Sequence, residues 1–322
     1  MTNNTLVAVI LINYNKSEYT IKCVNSLLES DYQDYIVIVV DNSSSEEESQ
    51  KLKLLNDKRV LIYENDNKYG YVGGVNYGLS VASTLKPEYY LIMNNDTIID
   101  KNAIRVLVKT ALKYDNRCIV SGKVYNMDEP DTLQYIGQWC RSHINLDYPP
   151  YVKGSREKDV GQYDREMEMG MLDDIFWLLP NIVFQDVGYY STYFFMYGEQ
   201  NDYALRAVQK GFKLIYTPNA KLWHYRHLTT ANGDKYNPVV LYWQTYSTLV
   251  LASLHLNRIN FMSLYMRNLI KLFFKIFYNY TFRQKGHKEV NKSFIIPKMK
   301  AYYFFMKWFI LKKNNPQFNP YL

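Results

Sequence analysis

Cysteine is scarce in this chain: three in 322 residues, Cys23, Cys118 and Cys140, with no C-x-x-C pair among them. An odd, sparse set of this kind argues against a disulfide framework and for a reducing compartment. No run of 18 uncharged apolar residues occurs, which argues against a membrane-spanning helix. The opening stretch MTNNTLVAVILINYN has no basic leader region and no A-x-A site, so it reads as a first strand and not as a signal peptide. No G-x-G-x-x-G follows that strand, so a dinucleotide-binding unit is a poor reading. Acid is nearly missing from the last quarter. Between Tyr242 and Leu322 there are 13 Lys and Arg against Glu289 alone, while the first 241 residues carry 25 basic and 30 acidic residues. The net charge of +7 therefore lies entirely in the tail, and such asymmetry points to an anionic surface as partner.

What is present suits a globular α/β protein: 48% apolar and 21% charged residues, in a chain long enough for one large domain with an appendage or for two domains. The 32 tyrosines are read mainly as a composition bias of the source. Strand-like and helix-like stretches alternate over the first hundred residues. LVAVILIN, YIVIVVD, VLIYEN and YYLIMNND are buried-strand runs. Between them lie the helical patterns of SEYTIKCVNSLLES, with Ser17 as its expected cap, SSSEEESQKLKLLN and GYVGGVNYGLSVAS. This order predicts a doubly wound, mostly parallel sheet. Ligands bind outside the carboxyl ends of such strands. Asn13–Asn15, Asp41–Ser43, Asn67–Gly74 and Asn94–Asp96 all follow strands and are expected to converge on one crevice. The span from about Asn126 to Met169 reads as a loop-rich insertion on the acceptor side.

Each motif has a functional and a structural reading. Asp41, at a strand end before NSSS, suits hydrogen bonding to a ribose or base, or an Asx turn. The glycines of NKYGYVGGVNYG let backbone approach a ligand, or pack a helix against a sheet. Asp96, closing an apolar strand in MNNDTIID, suits a hard divalent ion that takes few carboxylates and completes its shell with phosphate oxygens, or it closes a turn. His224, in AKLWHYRH, is a ligand or a structural histidine, and spacing does not choose between it and His227. In FFMYGEQNDYALR, Glu199 and Asp202 open a helical pattern, either as caps or as chemistry.

Taken in order, VILINYN, IVVDNSS, NKYGYVGGVNYGL, LIMNNDT, FFMYGEQNDYALR and YTPNAKLWH resemble the family 2 glycosyltransferases of GT-A fold, nearest to a rhamnosyltransferase-like bacterial branch. The resemblance runs from about Leu6 to His224. It implies a GT-A catalytic domain over residues 1–240, with a nucleotide-binding half at 1–100 and an acceptor half at 101–240, and a helical extension over 241–322. It also implies inverting transfer from a nucleotide-diphospho-sugar, UDP- or dTDP-linked, to a hydroxyl of a lipid-linked glycan in bacterial surface polysaccharide synthesis.

Residue by residue, the resemblance makes Asp96 and His224 ligands of Mn²⁺ or Mg²⁺. It places Asn13, Asn15, Asp41, Asn67, Gly73, Gly74, Asn76, Asn94 and Asn95 on the donor. Two departures stand out. Family members usually carry Glu-Asp after the aromatic-Gly dipeptide, with the second acid as base. Here Gln200 takes that place, and an amide is no base near neutral pH. The expected base is Glu199, with Asp202 the second candidate. The other reading of Gln200 is a non-catalytic sugar-nucleotide-binding scaffold of a polysaccharide assembly complex. Near MLDDIFWLLP the family usually has Gly-Ala, where this chain has Asp174-Ile175, and Asp173 and Asp174 suit sugar hydroxyls. A nucleotidyltransferase shares the layout but needs a basic phosphate loop after the first strand, where NYNKSEY has only Lys16.

In the tail, Arg267, Lys271 and Lys275 recur every four residues along one helix face, among aromatics. That pattern suits an anionic membrane surface, here the cytoplasmic face of the plasma membrane, or a helical hairpin packed on the domain with its lysines in water. The same helices offer a surface for self-association. No nucleic-acid-binding module is present.

Overall fold

The computed structural model describes residues 5–66, 69–138, 152–225, 237–281 and 288–311. Its first half alternates strictly: β1 (Val7–Asn13), α1 (Ser17–Leu28), β2 (Tyr35–Asp41), α2 (Glu46–Leu52), β3 (Val60–Glu64), α3 (Gly70–Thr84) and β4 (Tyr89–Met93). Then come β5 (Thr97–Ile99), α4 (Ala103–Lys113), β6 (Cys118–Asn126), β7 (Thr132–Tyr135) and the two-residue strands β8 (Gly137–Gln138), β9 (Val152–Lys153), β10 (Glu157–Lys158) and β11 (Met167–Glu168). The remainder is β12 (Phe176–Pro180), α5 (Asn181–Val187), α6 (Glu199–Gln209), β13 (Lys213–His224), α7 (Pro238–His255), α8 (Arg258–Thr281) and α9 (Lys288–Leu311).

One large sheet runs β10-β7-β6-β12-β4-β1-β2-β3, with β13 beside β6 and β5 and β11 attached to β13. β3, β2, β1 and β4 are parallel, and β12 enters antiparallel between β4 and β6. The β-branched runs are buried on both faces because alternate side chains serve two cores. Ala8 and Ile10 pack with Val75 and Leu79 of α3, whereas Val7, Val9 and Leu11 pack with Cys23 and Leu27 of α1 and Leu107 of α4. The sheet is thus doubly wound and mostly parallel, as its order predicts.

Ser17 is not the cap of α1. It lies inside the first turn, donates its backbone N–H to Glu48 Oε2 at 2.8 Å and its hydroxyl to Glu48 O at 2.7 Å. A carboxylate from α2 therefore satisfies a free N–H of α1.

The tail adds to the first of these cores. Val250 and Leu251 of α7, Phe261 and Leu264 of α8, and Phe305 and Trp308 of α9 are buried in the same cluster as α3 and α6. Trp243 of α7 stacks on Phe195 with ring centroids 4.5 Å apart, and Ser247 Oγ donates to Met196 O at 3.0 Å. α7 thereby grips the segment leading into α6. No helix among the described residues is long and apolar enough to cross a membrane.

Candidate active site

The carboxyl ends of β1, β2 and β4 are joined by one buried relay. Asn95 Nδ2 donates to Thr20 Oγ1 at 2.7 Å, Thr20 Oγ1 donates to Asn13 Oδ1 at 2.7 Å, and Asn13 Nδ2 donates to Asp41 Oδ1 at 3.1 Å. The other Asp41 oxygen accepts from Ser49 Oγ. Asp41 lines a cleft of about 350 Å³ together with Ser43, Lys53, Glu64 and Asp66, at the ends of β2 and β3. This is a polar recess of the kind that takes the hydrogen-bonding edge of a ligand.

A short antiparallel ladder, from Leu222↔Ile99 to His224↔Thr97, brings His224 to Asp96. His224 Nε2 then lies 3.1 Å from Asp96 Oδ1 and 3.4 Å from Asn94 Nδ2, with both Asp96 and His224 buried. Nδ1 faces Gln134 Oε1 at 2.9 Å. A proton on Nδ1 satisfies that oxygen and leaves the Nε2 lone pair turned to the Asp96 carboxylate, the arrangement of a ligating histidine held by an outer partner. Two donors at right angles on an octahedral ion, with bonds of about 2.1 Å, lie about 3.0 Å apart. The pair therefore fits a divalent cation. One carboxylate and one imidazole favour Mn²⁺ over Mg²⁺. Among the described residues no group of three or more His, Cys, Asp or Glu gathers as a metal cage, so phosphate oxygens or water must complete the shell.

Next to this pair lies a set of acids whose pKa values burial raises. Asp174 is buried and accepts from Tyr190 OH at 3.1 Å and Tyr71 OH at 3.3 Å. Burial, and then the charge of Asp173, push its pKa up to about 7 despite those two donors. Burial also raises Asp173, which His224 and the Ile175 N–H partly offset. Glu199 is raised well above the usual carboxylate range, by burial first and by Asp174 second, and its own backbone N–H at the helix start offsets only part of this. Glu199 Oε2 and Gln200 Oε1 are buried without a hydrogen-bond partner. Tyr197 and Gly198, just before α6, both have positive φ, 65° and 81°. For a tyrosine this is a costly backbone state, of order 1–3 kcal/mol, of the sort found where a chain aims a functional group.

Asp202 is differently placed. Arg206 Nε reaches its Oδ2 and His255 Nε2 its Oδ1, each at 2.8 Å, and the carboxylate is buried between them. Both oxygens are engaged, so Asp202 fastens α6 to α7.

Residues 8–171 match the family model Glycosyl transferase family 2. The chain belongs to this family. It is 32% identical over 128 residues to glycosyltransferase GlyG of Streptococcus pneumoniae, a match over 39% of this chain and 41% of that one. It is 26% identical over 216 residues to the low-salt glycan biosynthesis hexosyltransferase Agl10 of Haloferax volcanii, over 65% and 63% of the two chains. The chain thus spans less than two thirds of the length of these curated relatives. Among solved structures it is similar to GalNAc-T7 with UDP, GalNAc and Mn²⁺ (TM-score 0.59, 14% identity, 98% of this chain and 59% of that one). It is similar also to the mannosyltransferase PcManGT of Pyrobaculum calidifontis with GDP-Man and Mn²⁺ (TM-score 0.52, 12% identity, 97% and 76%). These likenesses establish the GT-A fold.

Several residues expected on the donor of a family 2 glycosyltransferase have other work here. Asn13 and Asn95 are buried in the relay, holding Asp41 and the end of β4 in place. Gly74 faces the sheet: a Cβ there would meet Ile12 Cγ2 at 2.8 Å, and one at Gly78 would meet Ile10 Cγ2 at 2.6 Å. A Cβ at Gly73 would meet Tyr69 Cβ at 2.4 Å. These glycines lie within α3 and set its approach to the sheet and to its own cap. Asn76 exchanges two 2.9 Å hydrogen bonds with the Tyr190 backbone, tying α3 to the segment after α5. Asn15, at φ 51°, accepts from Ser45 N at 2.8 Å and shapes the rim beside Asp41. Asn67 lies outside the described residues, as do Cys140 and His227. Tyr71, Tyr190 and Gln134 carry no signal in the sequence. They become visible only as partners of Asp174 and His224.

Proposed function

We propose that this family 2 glycosyltransferase moves a sugar, with inversion, from a nucleotide-diphosphate donor to a hydroxyl of a lipid-linked glycan. The observation that carries the reading is the Asp96–His224 pair together with the buried Glu199, whose Oε2 has no hydrogen-bond partner. The first is a place for the departing diphosphate, the second a place for a proton.

The relay through Asn95, Thr20 and Asn13 presents Asp41 to the nucleoside. Asp96 and His224 would hold a divalent cation, which neutralises charge on the leaving diphosphate when bound. GalNAc-T7 and PcManGT, which share the fold, were both crystallised with a nucleotide or nucleotide sugar and Mn²⁺. The acceptor hydroxyl attacks from the side opposite the leaving group, and Glu199 takes its proton. Both direct transfer and inversion follow from one in-line displacement, so no covalent enzyme intermediate is required. Asp174, held by Tyr71 and Tyr190, faces the same space and is placed to bind a sugar hydroxyl.

Agl10 is a glycan biosynthesis hexosyltransferase, and a bacterial surface polysaccharide is the product class we infer for this chain. Gln200 is the feature that sustains a second reading, a donor-binding scaffold without turnover. The deciding experiment incubates the protein with UDP-, dTDP- and GDP-sugars, Mn²⁺ and lipid-linked acceptors. Nucleoside diphosphate release that stops on chelation and in Asp96→Ala supports the transferase. Donor binding without release under any pairing supports the scaffold.

A further inference from the structure

α8 turns two chemically different faces outward. Its inner face, Phe261, Leu264 and Leu272, is buried in the core. Directly opposite, Ile259 (82% exposed), Met262, Met266, Ile270 and Phe273 (64% exposed) follow one another at spacings of three and four, so they form one stripe along the helix. Phe274 stands on its edge, 63% exposed. A helix that is apolar on both sides has a second partner to satisfy. α9 repeats the pattern with Ile296, Met299, Tyr303 and Ile310 outward and Ala301, Phe305 and Trp308 inward.

The flank of the α8 stripe is cationic. Arg267 and Lys271 are exposed along one side of it, and Lys275 continues that row, its ammonium 3.4 Å from the Phe294 ring centroid of α9. The surrounding stretch from Tyr242 onward carries 13 basic residues and Glu289 as its sole acid. That charge decides among occupants. A second copy of this chain would bring the same positive surface into contact with itself. An anionic bilayer offers opposite charge at the depth of the lysines and hydrocarbon at the depth of the stripe. The helix lies along the surface, since no described helix can span.

We propose that the outward faces of α8 and α9 are a docking surface for anionic phospholipid. The stripe from Ile259 to Phe273 enters the acyl boundary while Arg267 and Lys271 sit among the headgroups. This extends the proposed function by naming the face that meets the membrane, and it is tested apart from catalysis.

The test is co-sedimentation of the full chain with vesicles of phosphatidylcholine alone or with roughly 30% phosphatidylglycerol, an anionic fraction that attracts a basic helix. Binding is expected to the mixed vesicles and to fall with salt. Met266→Ser with Phe273→Ser should lower partitioning by tenfold or more, on the order of what two large apolar side chains contribute at a lipid boundary. Lys271→Glu should lower it by about fivefold or more and reduce the preference for phosphatidylglycerol. These positions are exposed, so circular dichroism and nucleotide-sugar binding should be unchanged in both variants. Equal binding to the two vesicle types, or no binding to either, overturns the proposal. So does light scattering that shows a dimer dissolved by the same apolar substitutions, which assigns the face to a second copy. Loss of nucleoside diphosphate release with vesicle binding intact would instead count against the transferase reading alone.

Discussion

His255 Nε2 and Arg206 Nε close on the two oxygens of Asp202, each at 2.8 Å, and so lock the first turn of α6 to the end of α7. Arg206 continues to the carbonyls of Val187 and Tyr189, at 2.8 and 3.0 Å. Removing the carboxylate leaves the buried His255 ring without its hydrogen-bond partner and Arg206 without its counter-charge, which costs about 3 kcal/mol. Asp202→Ala should therefore unfold at markedly lower denaturant concentration. Donor release per folded molecule should change far less than stability does. A stable Asp202→Ala protein that has lost all turnover would restore Asp202 as the base.

Glu199 should show the opposite split. Glu199→Gln keeps the volume and removes the proton acceptor. Turnover should fall by about 10²–10⁴-fold, the usual contribution of a positioned general base. Donor affinity, read by calorimetry, should stay within a few-fold. Stability should hold or rise, because a neutral amide is less costly in this buried place than a carboxylate beside Asp174.

The acids also set a pH dependence whose sign is fixed. Asp174 and Glu199 have pKa values raised in the fold by burial, and further by the charge of Asp173 on Asp174, to about 7, and by that of Asp174 on Glu199. A raised folded pKa means that the fold holds protons the unfolded chain has lost. That stabilisation is complete below the ordinary carboxylate range, near pH 4, and is lost as pH rises through about 7 for Asp174. Melting temperature should thus decline between pH 5 and 8, and Asp174→Asn should flatten the decline. Turnover runs the other way, since a base must be ionised. It should rise with pH, and Asp174→Asn should move that limb to lower pH by relieving Glu199 of a neighbouring charge. A limb that does not move would separate Asp174 from the proton chemistry.

Much of the fold was legible in the residues. β-branched runs broken by helical patterns give the parallel half of the sheet, and the strand-end positions do cluster. The order of motifs singled out Asp96 at a strand end and His224 at the end of a long strand, and the fold brings the two within 3.1 Å. It was not legible where a polar residue has a choice of neighbours. Asn13 and Asn95 sit at strand ends like Asp96, but each turns inward because Thr20 of α1 offers a buried hydroxyl. Glu199 and Asp202 are equivalent as acids at a helix start, and the contacts of Asp202 with Arg206 and with His255, 53 residues on, distinguish them. Gly74 reads as a ligand-facing glycine until the Ile12 side chain is seen against it.

The packing of Gly74 against the sheet has its own test. Gly74→Ala places a methyl 2.8 Å from Ile12 Cγ2 and 3.3 Å from Asn42 Cγ, and both neighbours are held, Asn42 by a hydrogen bond to Gly70 O. Overpacking of this kind costs about 1–3 kcal/mol. The loss should appear in chemical denaturation, with donor affinity in the folded fraction within a few-fold of the unaltered protein.

The metal pair gives the last expectation. Mn²⁺ with a nucleoside diphosphate should stabilise the protein by about 2.7 kcal/mol at a hundred times the dissociation constant, and thermal unfolding reads this directly. Asp96→Ala should abolish the shift, because the histidine alone offers a single ligand. His224→Ala should weaken it and narrow the preference for Mn²⁺ over Mg²⁺, since an oxygen-only set no longer favours the softer ion. Gln134→Ala tests the orienting partner: it leaves both ligands but frees the His224 ring, and a loss of about 10–100-fold in Mn²⁺ affinity is expected. An unchanged affinity in Gln134→Ala, beside a lost one in Asp96→Ala, would show that the β13·β5 ladder alone holds the ring in place.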